Sequence, residues 1–157
     1  MYGNVDGWSD LLWPHRWALY SFDAYINGAR VYDYTFELTE SSYFTAGVLC
    51  HEFFHVLGAP DLYHYDNTGA PDAVGGWDLM ESTSNPPQYM GAFLKWKYGD
   101  WIPEIPEITS TGTYTLNPLQ EQENSSFKIA SPNSDTEYYV LEYLSLIHIS
   151  EPTRRSY

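Results

Sequence analysis

The sequence predicts an α+β fold, and three observations carry that expectation. Short aromatic and β-branched runs, punctuated by Gly, Asn and Pro, occur before residue 40 and again after residue 106. Between them lies one long apolar segment that opens on capping residues and closes on glycine. A second, shorter helical pattern follows it.

Taken in order, "WALYSFDAYINGARVYDYTFEL" (17–38) reads as two strands joined by a tight Asn27-Gly28 turn. The "TESS" that follows is rich in capping types. "SSYFTAGVLCHEFFHVLG" then runs apolar up to Gly58, which predicts a helix from about Tyr43 to Leu57 with Ser41 or Ser42 as its N-cap. Pro60 cannot continue that helix. Residues 61–78, "DLYHYDNTGAPDAVGGWD", are loop by composition. A second helix is expected from about Gln88 to Tyr98, with Gly99 past its end, and "WIPEIPEI" is extended by its prolines. "GTYTLNPL", "SSFKIAS" and "EYYVLEY" alternate like three strands of a small antiparallel unit. The expected division is therefore residues 1–102 as one domain and 103–143 as a β-rich segment.

Residues 144–157 are set apart. "LSLIHISEPTR" (144–154) matches the translation of a transposase-type sequencing-library adapter over eleven consecutive residues. The expectation is a non-native tail, which removes His148 from the candidate ligands.

The 157 residues suffice for a hydrophobic core, and an aromatic content of 18% is unlike that of a disordered chain. With 7 Lys+Arg against 21 Asp+Glu the formal charge is -14. Such a surface repels phosphate backbones and anionic lipid, so neither nucleic acid nor a membrane surface is expected as a partner. No apolar run reaches the roughly 18 residues that a membrane helix requires. The single cysteine, Cys50, can form no internal disulfide and is read as a small buried hydrophobe.

The chemistry concentrates in "HEFFHVLGAPD" (51–61). On a helix, His51 and His55 share one face about a turn apart, so both imidazoles can reach a single ion. Glu52 projects beside that ion, where a carboxylate can take a proton from a metal-held water. Gly58 allows a left-handed turn, and Asp61, its approach stiffened by Pro60, arrives as a third ligand. Glu81 and His64 are rival third ligands. Asp66, Asp72 and Asp78 could hold Ca2+, but their spacing fits no defined motif, and solvated carboxylates are the better reading. Tyr63, Tyr65 and Tyr89 are candidates to hydrogen-bond a reaction intermediate. His15 is read as structural.

"GVLCHEFFHVLGAPDLY", with "WPHRW" (13–17), "GGWDLM" (75–80) and "GAFLKWKYGDW" (91–101), resembles metzincin zinc peptidases of the immune inhibitor A (M6) family. The resemblance implies a zincin/metzincin-like catalytic domain over 1–102 with an incomplete N-terminal half. It implies Zn2+ held by His51, His55 and Asp61, Glu52 as general base, and Met80 in the turn beneath the metal. It also implies protein or peptide substrates and a secreted full-length parent, of which this chain would be a fragment inactive by itself. The alternative is a non-catalytic binding or adhesion module stabilised by its metal.

Overall fold

The computed structural model describes residues 13–39, 44–66, 69–119 and 123–144. The expected caps Ser41 and Ser42, and all of the adapter-like tail except Leu144, lie outside these residues. The chain divides into two compact units, 1–87 and 88–157. Its elements are mixed α and β, as the patterning predicts.

The described part of the first unit begins with a long, interrupted hairpin. Its tip is β2 (Ala24–Ile26) paired antiparallel with β3 (Ala29–Val31). Asn27 and Gly28 between them both take positive φ, 50° and 80°, the conformation of a two-residue type I′ turn. Below the tip, β1 (His15–Ala18) pairs with β4 (Asp33–Phe36), and the Arg16–Asp33 ion pair spans the two strands. His15 stacks on Phe36 with ring centroids 5.4 Å apart, in keeping with a structural role.

Helix α1 (Ala46–Val56) packs against β1 and β4. It starts later than the capping pattern suggests, because Thr45 is the N-cap: its hydroxyl accepts from the Val48 N–H at 3.2 Å. Tertiary packing agrees with that start. A Cβ on Gly47 would lie 2.1 Å from the backbone oxygen of Ser84, so only glycine lets the two backbones approach this closely. At the other end Gly58 takes φ 99° and donates to the His55 carbonyl at 3.0 Å, while Ala59 donates to Phe54 at 3.3 Å. These two bonds form a Schellman motif, which satisfies two carbonyls of the last turn and reverses the chain.

The helix buries Gly47, His51, Glu52 and Phe54. Leu49, Phe53 and Leu57 are exposed, and Cys50 lies with them at the surface rather than in the core. Cys50 therefore departs from expectation: its position just before His51 rotates it away from the packed face. The remaining core of this unit is Ala18, Ala59, Leu79 and the fully buried Met80. Burying a methionine or phenylalanine side chain stabilises by about 1.5–3 kcal/mol, so Met80 and Phe54 matter most here.

In the second unit, α2 (Ala92–Lys97) begins four residues after the expected Gln88. Gly91 is its extended N-cap, and the Ala92 N–H is taken by the Glu142 carboxylate at 2.6 Å. β5 (Ser126–Ala130) and β6 (Tyr138–Glu142) pair antiparallel. The expected strand over 112–119 does not form. Pro118 has no N–H, and those of Asn117 and Leu119 go to the separate carbonyls of Asn124 and Tyr143, so no ladder can propagate. Ala92, Ile105 and Leu119 form one core cluster of this unit, with Tyr89, Trp96, Ile102 and Val140 packed around it, and Leu94, Met90 and Phe127 are buried as well. No helix among the described residues is long and apolar enough to cross a membrane.

Candidate metal centre

Helical spacing sets the rings of His51 and His55 perpendicular with centroids 4.8 Å apart. The Schellman turn brings Asp61 back under them. Its Oδ1 lies 3.0 Å from His51 Nε2 and 3.3 Å from His55 Nε2. Two atoms each about 2.1 Å from one ion at a tetrahedral angle stand roughly 3.4 Å apart. The two imidazole–carboxylate separations lie within about 0.4 Å of that spacing.

The far side of each imidazole fixes its tautomer. His51 Nδ1 is 2.9 Å from the Leu79 carbonyl oxygen, and His55 Nδ1 is 2.7 Å from that of Ala59. A carbonyl can only accept, so each Nδ1 carries its hydrogen and each neutral ring turns the Nε2 lone pair toward Asp61. Asp61 Oδ1 is buried and, among the described residues, accepts no hydrogen bond of ordinary geometry. Three electron-rich atoms thus converge within 4.8 Å of one another, an arrangement that a cation relieves. This donor set suits zinc: two imidazole nitrogens, one carboxylate oxygen, and a carbonyl behind each ring.

The titration behaviour reports the same field. Burial opposes a charged His51, but Asp61, the Leu79 carbonyl and Glu52 outweigh it and raise the imidazole pKa. Asp61 raises His55 against a smaller burial effect. Burial would lift the Asp61 carboxyl, yet His51, His55 and Tyr65 hold it well below the usual carboxylate range.

Glu52 is buried next to the histidines. Desolvation pushes its carboxyl up, against the pull of His51, His55 and the backbone N–H of Arg16 on β1. Met80 lies in a turn closed by Asp78, whose Oδ1 accepts from the Met80 N–H at 2.7 Å. That turn aims the Leu79 carbonyl at His51, and the Met80 carbonyl takes the Leu62 N–H at 2.9 Å. Met80 itself is 0% exposed.

The rival ligands separate from this group. His64 contacts the Pro71 carbonyl in an exposed loop, and neither it nor Glu81 joins the convergent set. Among the described residues Asp66, Asp72 and Asp78 form no metal-holding cluster, so calcium has no support. Of the candidate tyrosines, Tyr63 stacks along His51 (centroids 6.4 Å apart, planes at 17°) and the Tyr65 hydroxyl donates to Asp61 Oδ2. Burial and then Asp61 raise the Tyr63 hydroxyl; Asp61 first, then burial, push that of Tyr65 up to about 12. Tyr89 belongs to the second unit.

One residue of this neighbourhood is absent from the sequence reading. Glu37, just past β4, keeps both carboxylate oxygens buried without a hydrogen-bond partner among the described residues. Burial and the nearby Glu52 raise its carboxyl, offset in part by His15 and His51. An isolated glutamate at a strand end carries no local signal of such a place.

The family model described as "Immune inhibitor A peptidase M6, catalytic domain" matches residues 3–94, more than half of the chain. The chain belongs to the immune inhibitor A (M6) peptidase family. Among curated proteins it is 30% identical over 115 residues to "Immune inhibitor A" of Bacillus thuringiensis subsp. alesti, covering 59% of this chain and 16% of the relative. It is 32% identical over 94 residues to "Pre-pro-metalloprotease PrtV" of two Vibrio cholerae strains, covering 52% of this chain and 10% of each relative. The M6 chain described here therefore spans only a small part of the length of these relatives. No solved structure matches it significantly.

Proposed function

We propose that this chain carries the zinc site of an M6 endopeptidase that hydrolyses peptide bonds in protein or peptide substrates. The observation that carries this reading is the convergence of His51 Nε2, His55 Nε2 and Asp61 Oδ1 behind tautomers fixed by Leu79 and Ala59. His51, His55 and Asp61 would hold the ion, with Met80 as the methionine turn packed beneath. Bound there, zinc supplies Lewis acidity, polarising the scissile carbonyl and acidifying a water. Glu52 takes the general-base role: a buried carboxylate with a raised pKa, steered by the Arg16 N–H, accepts the proton of the attacking water and returns it to the leaving amine.

The wider assignments belong to the same proposal. Residues 1–102 form part of a zincin-type catalytic domain and 103–143 a β-rich segment. The full-length parent is secreted, a reading in keeping with a relative named as a pre-pro form. The deciding experiment measures zinc per chain after dialysis, on wild type and Asp61→Ala, with circular dichroism on both. About one zinc in a folded wild type, lost or much weakened in the variant, is the expected result. A folded wild type without zinc overturns the reading. In a longer, active form, Glu52→Gln should keep its zinc and lose hydrolysis.

A further inference from the structure

Building on the zinc reading above, we propose that Tyr65 is a positioning residue of the metal centre, whose hydroxyl ties down Asp61 Oδ2 so that Oδ1 alone faces the histidines. The two imidazoles sit on a helix and are each pinned by a backbone carbonyl. Asp61 has neither advantage. It stands in irregular chain three residues beyond Gly58, and its terminal torsion is intrinsically broad. Left free, the carboxylate could rotate, or offer both oxygens to one ion.

The Tyr65 hydroxyl removes that freedom by donating to Oδ2. An ionised carboxylate is acceptor-only, so this bond has a single polarity, and it occupies the oxygen that the histidines do not face. The ring that carries the hydroxyl is steadied in turn. Tyr65 packs edge-on against Tyr63 with centroids 5.2 Å apart, and Tyr63 stacks along His51. A closed circuit results, from His51 through Tyr63 and Tyr65 to Asp61 and back to His51. Tyr65 remains 82% exposed, so core packing does not account for its placement.

The test uses the full chain as wild type, Tyr65→Phe and Tyr65→Ala. Zinc affinity is read by competition with a chromophoric chelator, ligand geometry by the visible absorption of the cobalt-loaded chain, and folding by circular dichroism. Loss of an outer-shell partner typically weakens metal binding about 10–100-fold. Both variants should lose affinity to that extent, with shifted cobalt bands and an unchanged dichroism spectrum. Tyr65→Phe within about twofold of wild type, with the same cobalt spectrum, overturns the proposal. So does a loss confined to Tyr65→Ala, since the ring and not the hydroxyl would then be what counts. A folded wild type that takes up neither metal defeats the zinc reading itself, which is a distinct result.

Discussion

The Nδ1 of His51 lies 2.9 Å from the carbonyl oxygen of Leu79, and this bond across 28 residues commits the opposite nitrogen to Asp61. Without metal, the contact is attractive only while the imidazole is protonated. The raised pKa values of His51 and His55 supply stability that is complete below the unfolded value near 6.5 and lost as pH rises through the folded values. The lowered pKa of Asp61 supplies stability present above 3.8 and lost as pH falls through its folded value. In chelator, wild type should therefore be more stable than Asp61→Asn at pH 6. At pH 9, where three acceptors face one another, the order should reverse by about 1 kcal/mol, because the amide can donate. Urea midpoints at the two pH values check this; an unchanged order would refute it.

Zinc uptake should run the opposite way. The ion needs the same Nε2 atoms free of protons, so apparent affinity should rise with pH through the raised imidazole range, and binding should release protons. Calorimetry in buffers of different ionisation enthalpy measures the number released. No release at pH 6 would contradict the ligand assignment.

Glu37→Gln should stabilise the metal-free chain above neutral pH. A carboxylate whose folded pKa is raised is penalised when charged, and the penalty appears as pH climbs from 4.5 through the folded value. Wild type and variant should coincide near pH 4 and diverge by about 1–3 kcal/mol at pH 8, the scale for an unsatisfied buried polar group. Thermal melts at both pH values decide it; equal melting temperatures at pH 8 would mean that Glu37 is solvated.

Gly47→Ala sets two effects against each other. Helix propensity favours alanine by about 1 kcal/mol. The added Cβ, however, would meet the Ser84 carbonyl at 2.1 Å, and a backbone oxygen cannot swing aside as a side chain can. Overpacking of this kind costs about 1–3 kcal/mol or more, so the net change should be a lower unfolding midpoint. A midpoint equal to or above wild type would show that the 82–84 segment yields.

The parts of this molecule that follow local rules are legible in its sequence. Asn27-Gly28 turns the hairpin, Gly58 ends α1, and the spacing of His51, His55 and Asp61 brings their ligand atoms together. What escapes is set by distant contacts. Thr39, Ser41, Ser42 and Thr45 all have capping chemistry, and the choice of Thr45 goes with the approach of Gly47 to Ser84. The strand over 112–119 fails because its donors find partners in other segments. Glu37 is drawn toward Glu52 and His51 only once β4 and α1 have packed.

The Leu62 N–H meets the Met80 carbonyl at 2.9 Å, so the excursion between them is closed at its neck. Chain added or removed between Asp66 and Val74 would change the length of the excursion without passing through that neck. A reporter peptide or a foreign loop grafted there should leave His51, His55 and Asp61 in their present register.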